Sequence, residues 1–168
     1  MHTIFRSMTL FLICLFLAAA CAPKPAFDPL SVAPGMDPDP EFLEAVAEAH
    51  ATIGDFYAAF FSPSPTQSFA GLRVRFHIPG SDQYEYHWTE FVDYYNGIYT
   101  VRLIDSVTLG TGHHPDRTVA VHESEVMDWV VIEQDGTFIG GYSLRLAYSR
   151  MTAEEKRQFR EKTGYVMD

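Results

Sequence analysis

The chain has 168 residues, of which 47% are hydrophobic and 14% aromatic, and this length and composition predict one globular domain with a substantial apolar core. Its formal net charge at pH 7 is −10. Such an excess of carboxylates argues against binding of nucleic acid or of anionic lipid headgroups through charge, so no nucleic-acid partner is predicted.

The first 20 residues have the pattern of a bacterial lipoprotein signal peptide. Arg6 supplies a weak positive start, and residues 8–16 (MTLFLICLF) form an apolar segment too short to span a bilayer comfortably. Small residues then lead to Cys21 and resemble the lipid-attachment motif, although Leu17 stands one place earlier than in its commonest form. By that resemblance Cys21 is acylated and anchors the mature protein to a membrane. The alternative is ordinary cleavage after Ala20, which leaves a free thiol.

Residues 21–39 predict a flexible tether, because prolines recur and no apolar period is present. Fully stretched, this tether would reach about 60 Å. Ala22 after the cysteine favours the outer membrane, facing the periplasm, if the host is Gram-negative. Cys14 lies in the signal segment, so the mature chain would hold one lipidated cysteine, and neither a disulfide nor thiol catalysis is predicted. Residues 40–168 would form the folded domain.

Helices are predicted at both ends of this domain. Asp39 is a good N-cap and Pro40 a good first helical residue, and apolar side chains follow at helical spacing until Gly54 divides the region in two. A C-terminal helix is predicted by a capping box, an apolar anchor and a left-handed C-cap, at residues 152–155, Phe159 and Gly164.

Alternating polar and apolar residues predict four strands, over residues 72–78, 84–92, 98–104 and 118–122. The Asn96-Gly97 pair predicts a two-residue hairpin turn, which places Glu90 opposite Leu103. A loop over residues 79–83 places Arg75 opposite His87. In this register one sheet face carries either exposed ion pairs or a shallow anion site, formed by Arg73, Arg75, His87 and Arg102 beside Glu85.

Residues 126–148 predict one β-hairpin, closed by a type I′ turn at Asp135-Gly136. This turn places Val131 opposite Gly140 and Trp129 opposite Tyr142. One face then gathers large apolar side chains that must be buried: Trp129, Val131, Phe138, Tyr142, Leu144, Leu146 and Tyr148. The pair Gly140-Gly141 leaves room for a ring packed across the backbone, for a bulge, or for a close ligand.

The order of these elements predicts an α+β fold. About six antiparallel strands would form one curled sheet or a small open barrel, with N-terminal and C-terminal helices against one face. The pattern does not decide between a flat sheet and a barrel.

The gap between the third and fourth strands contains the residues best suited to a metal. His113, His114, Asp116 and His122 are weak candidate ligands for a metal-dependent hydrolase. Adjacent histidines diverge on an extended chain, however, and a solvated loop explains them as well. No zinc, phosphate-loop or dinucleotide motif accompanies them, so no cofactor, no metal and no catalytic residue are assigned.

A second set of residues, on the predicted hairpin, is the candidate surface for a ligand or partner: Asp128, Trp129, Gly140, Gly141 and Arg145. Asp128 faces away from its neighbour Trp129, where it would cap the turn before the hairpin or pair with Arg145. That structural role competes with the role of a catalytic carboxylate.

Five stretches carry a family resemblance: TIGDFYAAFFSP (52–63), LRVRF (72–76), EYHWTEF (85–91), the Asn96-Gly97 turn and EVMDWVVIEQDGTFIGGYSLRL (125–146). Together they resemble the DUF2314 family of uncharacterised bacterial proteins, from about Pro40 onwards. The resemblance implies a fold but no activity. Residues 104–107 and 114–117 differ from the family's usual Asn-Glu-Pro-like and Gly-Asp segments.

These observations predict a lipid-anchored protein of the bacterial envelope, held to the membrane through Cys21. Its domain would bind a protein or cell-wall partner without catalysis. The alternatives are the metal-dependent hydrolase described above and an immunity or inhibitor protein.

Overall fold

The structure is a computed structural model that describes residues 39–104 and 116–167. Four α-helices, six strands and one 3-10 turn occupy these ranges: α1 (Pro40–Ala51), α2 (Ile53–Phe61), β1 (Gln67–His77), β2 (Tyr84–Tyr95), β3 (Ile98–Leu103), β4 (Thr118–His122), a 3-10 turn (Glu123–Glu125), β5 (Val126–Glu133), β6 (Phe138–Gly140), α3 (Tyr142–Ser149) and α4 (Ala153–Thr163). The predicted α+β class is therefore confirmed. Among the described helices, none has the length and apolar character needed to cross a bilayer. The predicted signal segment lies outside the described residues.

The first and last helices begin at the capping signals in the sequence, whereas α2 does not. The Asp39 side chain accepts a hydrogen bond from the Phe42 amide at 2.8 Å, and Pro40 opens α1. The break before α2 falls at Thr52 and not, as predicted, at Gly54, which lies inside α2; the Thr52 side chain does not cap α2, because its hydroxyl donates back to the Glu48 carbonyl at 2.8 Å. The capping box that begins at Thr152 is complete, as predicted, and starts α4.

The six strands form one antiparallel sheet in the order β4-β3-β2-β1-β5-β6. Four residue steps lead from His122 at the end of β4 to Val126 at the start of β5. These steps span at most about 14 Å, whereas the four interstrand spacings between β4 and β5 would total about 19 Å in a flat sheet. The sheet must therefore curl, and it does so without closing, because β4 and β1 do not pair. Of the two predicted shapes, a curled, open sheet is the one observed.

A bulge in β2 shifts the register of the second hairpin. Tyr95 pairs with Ile98 across the Asn-Gly turn, as predicted, but the ladder slips by one residue between Phe91 and Asp93. Glu90 therefore lies opposite Arg102, and the predicted pairing with Leu103 is wrong. A bulge adds an unpaired residue to one strand, which a periodic pattern does not reveal.

The first hairpin also differs from its predicted register. The Ile78 amide donates to the Gln83 carbonyl at 2.9 Å, so the loop is one residue shorter than expected and Arg75 lies opposite Tyr86. A slip of one residue exchanges the faces of a strand. Glu85 and His87 consequently share the face of Phe76 and Val74, away from the three arginines with which they were grouped.

The predicted hairpin of residues 126–148 is a strand pair followed by a helix. Val131 lies opposite Ile139, and β6 ends after three residues. Gly140 and Gly141 both adopt left-handed backbone conformations, with φ of 72° and 69°, and α3 begins at the next residue. The prediction of a continuing strand was wrong because the two glycines turn the chain before the alternating pattern ends.

Helices cover both faces of the sheet, which corrects the prediction that they cover one. α2 packs on a first cluster: Leu72, Val74, Phe91, Val101, Trp129 and Val131, with Phe56 against them. α3 and α4 pack on a second: Trp88, Val130, Ile132, Phe138, Leu144 and Phe159. Because neighbouring strand residues point to opposite faces, a strand buried on both sides has a nearly continuous apolar run, which in β5 is interrupted by Asp128 before its last residue, Glu133.

We expect Gly140→Ala to lower the free energy of unfolding by about 2–4 kcal/mol. A Cβ at this position would lie 2.6 Å from the Trp129 ring and from the Trp129 carbonyl oxygen, and φ is positive. Gly54→Ala is the matched control, because no atom lies within 4 Å of its added Cβ. The control should retain stability or gain up to about 1 kcal/mol. Equal stability of the two variants in urea unfolding would contradict the expectation.

Candidate functional site

Asp128 caps the N-terminus of α3 from the middle of β5. Its side chain is fully buried, with 0% exposure. One oxygen accepts hydrogen bonds from the amides of Trp129 (2.8 Å) and Tyr142 (3.2 Å). The other accepts from the amide and the hydroxyl of Ser143, at 2.7 and 2.6 Å. Asp128 thus satisfies amides that the first turn of a helix leaves without partners, instead of capping the turn before β5 or pairing with Arg145.

Arg73 approaches the same serine from the neighbouring strand. Its Nη1 donates to Ser143 Oγ at 2.7 Å, and its guanidinium carbon lies 5.6 Å from the ring centroids of both Phe42 and Tyr86. Nε and Nη2 have no hydrogen-bond partner in the part of the chain that the structure describes. The buried cation is therefore held by two aromatic faces and by the charge of Asp128. Burial lowers the pKa of Arg73 to about 10, while Asp128 and Tyr86 favour the charged form.

Burial also raises the pKa of Asp128 to about 6 from its ordinary value of 3.8. The hydrogen bonds from Ser143 and Trp129 and the charge of Arg73 act in the opposite direction without overcoming it. At neutral pH the carboxylate is charged. The hydrogen-bonded series Arg73–Ser143–Asp128 joins α1, β1, β5 and α3, and all three side chains are buried.

The other predicted partner-binding residues surround this junction. Trp129 Nε1 donates to the Ala49 carbonyl at 3.0 Å, and the Trp129 ring lies across the bare backbone of Gly140, as predicted. Gly141 precedes α3. The structure thus brings all five predicted residues together, and their described contacts lie within the fold. Their role toward a ligand stays a prediction.

The Arg145 side chain covers the outer edge of β6. The Glu133 amide donates to the Thr137 carbonyl, so in the alternating antiparallel pattern the carbonyls of Phe138 and Gly140 point away from β5. Arg145 donates to both carbonyls, at 2.9 and 3.0 Å. This edge of the sheet is closed to further pairing.

The opposite edge, at β4, is open in the part of the sheet that the structure describes. The Leu103 amide donates to the Arg117 carbonyl at 3.0 Å, and the Glu123 amide donates to the Gly97 carbonyl at the same distance. Both bonds follow the register of β3 and β4. By alternation, the amides and carbonyls of Thr118, Ala120 and His122 therefore face away from β3. No further strand follows β4 in the sheet that the structure describes.

A groove lies between this open edge and the end of β1. The last pair of β1 with β5 is Val74 with Val126, and β1 continues to His77. Residues 75–77 and Tyr84 form one wall and residues 117–122 the other, with Glu125 at the end. We call this the seam groove, because it lies where the curled sheet fails to close.

The seam groove contains two arginines, of which one is in an ion pair and the other has no partner among the described residues. Arg75 Nε donates to Glu125 at 2.7 Å, and its guanidinium lies 4.9 Å from the Tyr84 ring centroid. Arg117 is exposed, and its side chain has no ion-pair or hydrogen-bond partner within the described ranges. No pattern in the sequence indicates this site, because the groove depends on the curl of the sheet.

Glu85, which is buried, and His87, which is half-buried, form a pair that the alternating pattern placed on an exposed face. Glu85 is 2% exposed, and its Oε2 lies 3.3 Å from His87 Nε2. The geometry is not that of a hydrogen bond, and neither carboxylate oxygen finds a donor among the residues described. Alternation alone assigns such residues to solvent, so no pattern in the sequence reveals their burial.

The predicted metal candidates are only partly described. Asp116 precedes β4 and His122 ends it, and β4 alone holds its ends about 13 Å apart, too far for both side chains to ligate one ion. His113 and His114 lie outside the described residues, so their role stays a prediction. Within residues 39–104 and 116–167, no three His, Cys, Asp or Glu side chains gather as a metal site would require.

We expect Asp128→Asn to change how stability depends on pH. The folded protein keeps a proton on Asp128 up to about pH 6, whereas the unfolded chain releases it near pH 3.8, so wild-type stability falls as pH rises through this window. Asparagine does not titrate. The unfolding free energy of the wild type should therefore fall, relative to that of the variant, by up to about 3 kcal/mol from pH 4 to pH 7.

Asp82→Asn, at an exposed loop position, is the control and should run parallel to wild type. Chemical denaturation at several pH values provides the measurement. A difference that widens toward neutral pH would show that the folded-state pKa lies below 3.8.

The chain was also compared with known proteins. No curated protein and no solved structure matches it. The sequence profile of DUF2314, described as an uncharacterized protein conserved in bacteria, matches residues 39–167 and so covers the whole described fold. The resemblance seen in the sequence is confirmed: the chain belongs to the DUF2314 family.

Proposed function

We propose that the protein is a lipid-anchored binding module of the bacterial envelope, which holds its domain near a membrane and engages a protein or cell-wall partner without catalysis. The observation that carries the binding half is the seam groove, where three consecutive outward-facing positions of β4 have no strand partner among the described residues. Exposed strand edges of this kind bind other chains unless they are protected.

The sequence supports the anchoring half. Cys21 follows an apolar segment and small residues, and a proline-rich stretch separates it from the domain. The described domain begins at Asp39, which Arg150, at the C-cap of α3, holds through hydrogen bonds of 2.6 and 3.0 Å. This ion pair lowers the pKa of Asp39 to about 2. The tether therefore meets the domain at a point fixed to its helices.

An immunity or inhibitor protein would also hold its target at such a groove, so that prediction is a special case of the proposal. The hydrolase prediction rests largely on His113 and His114, which lie outside the described residues, so it stays a prediction.

We expect Cys21→Ser to abolish lipidation. Cells that express the wild-type chain and take up labelled palmitate should yield a labelled band in the membrane fraction, and the Cys21→Ser chain should yield none. Cys14→Ser is the matched control, because this cysteine lies in the segment that is removed, and it should remain labelled. Label that persists on Cys21→Ser would overturn the anchoring half.

We expect a photo-crosslinking residue at Thr118 to capture a discrete partner in living cells. Thr118 is exposed on β4 at the seam groove. Glu161, exposed on α4, is the control position and should give no adduct or a different one. Identical adduct patterns at both positions, or none at Thr118, would contradict binding at this groove.

A further inference from the structure

We infer that the partner enters the seam groove as an extended peptide segment that carries a carboxylate, and that it adds to the sheet as a strand beside β4. This inference rests on the proposed function and specifies the chemistry of the partner.

The backbone of β4 offers the hydrogen bonds. In the described part of the chain, Thr118, Ala120 and His122 present their amides away from β3, and Thr118 and Ala120 also present their carbonyls, whereas the His122 carbonyl accepts the first bond of the 3-10 turn; these groups are enough for a ladder about five residues long. The other edge of the sheet is closed by Arg145, whose guanidinium binds both outward carbonyls of β6. One edge is thus protected and the other is open. Peptides that add to an open sheet edge gain affinity from these main-chain bonds.

The walls of the groove favour a single strand as the occupant. The end of β1, with Tyr84, lies across the groove from β4. If a second copy paired its own β4 here, its attached β3 would fall where β1 already stands, because neighbouring strands lie about 4.8 Å apart. A single extended segment has no such attached strand.

The charge of the groove selects an acidic segment. The chain as a whole carries a net charge of −10. At the seam groove, however, Arg117 is exposed without a partner for its guanidinium in the described part of the chain, and Arg75 is balanced by Glu125. The exposed imidazoles of His77 and His122 add no negative charge. A carboxylate on the incoming strand would pair with Arg117.

The side chains beside the β4 edge indicate which other residues the bound peptide would contain. Val119 is half-buried, while Val121 and Phe76 are buried on the same side of the groove. Because strand residues alternate in direction, every second residue of the peptide would cover this apolar side. The expected segment therefore alternates apolar and polar residues and has at least one Asp or Glu near Arg117.

A selection tests the inference with defined probes. The full lipidated chain in detergent micelles is used to select from a displayed library of random ten-residue peptides, and the best peptide is then made synthetically. We expect enrichment of alternating peptides with an acidic residue. In hydrogen exchange, the bound peptide should slow the amides of Thr118, Ala120 and His122 at least tenfold and leave those of β6 unchanged.

Two variants make the test specific. Ala120→Pro removes the central outward amide of β4 and no bond to β3, since proline is tolerated where the amide faces outward, and should weaken binding at least tenfold. Ala120→Ser, which keeps the amide, is its control. Arg117→Gln should weaken the acidic peptide about two- to fivefold and leave a glutamine or asparagine copy of that peptide unaffected. The Arg117 variant and the amide protection decide the outcome if Ala120→Pro does not fold.

Several results would overturn the inference. These are no enriched peptide, binding that survives Ala120→Pro, protection elsewhere than β4, and concentration-dependent self-association through β4, which would identify a second copy as the occupant. Protection of β4 that disappears when residues 22–38 are deleted would identify the chain's own tether instead. If Thr118 still crosslinks an envelope partner in the Ala120→Pro chain, the proposed function stands and only the strand-addition inference fails.

Discussion

The carboxylate of Asp128 is the group on which the arrangement of this domain depends. It lies in the middle of a strand, yet it accepts the amides that open α3, so it ties the end of the sheet to the start of a helix. The Ser143 hydroxyl, which donates to Asp128, also accepts a hydrogen bond from Arg73, and the Arg73 guanidinium is packed between rings of α1 and β2. Loss of either charged partner would leave the other buried and uncompensated, which is costly in a protein interior. This series of hydrogen-bonded side chains therefore favours one packing of α1, β1, β5 and α3.

This junction also explains why the edge of the sheet at β6 is covered and the edge at β4 is not. Because α3 starts directly after β6, its first turn brings Arg145 back over the β6 carbonyls and closes that edge. Among the described residues, no side chain covers the outward backbone groups of β4 as Arg145 covers those of β6, and the curl of the sheet places β4 opposite the end of β1. The open edge therefore lies in a groove rather than on a flat surface. A groove limits pairing to a narrow, extended chain, which also protects the protein from edge-to-edge aggregation.

Aromatic side chains hold helices against both faces of the sheet. Phe56 of α2 lies against Phe91 and Trp129 on one face, with ring centroids 5.2 and 5.8 Å away. Phe159 of α4 lies 5.5 Å from Tyr148 of α3 on the other. Aromatic pairs at these separations add to the burial of apolar area. The Glu85–His87 pair lies beside Phe76 on the first face, where the ring centroids of Phe76 and His87 are 6.0 Å apart.

The sequence by itself determined the class of fold and the places where most elements begin and end. Caps at Asp39 and Thr152 and the turn at Asn96-Gly97 work through contacts between residues close in the chain, so their signals are local. The tertiary structure alone decided the register beyond the β2 bulge, the change from strand to helix after Gly140, and the burial of Arg73. It also decided which edge stays open. Each of these depends on contacts between residues far apart in the chain, and a periodic pattern carries no information about such contacts.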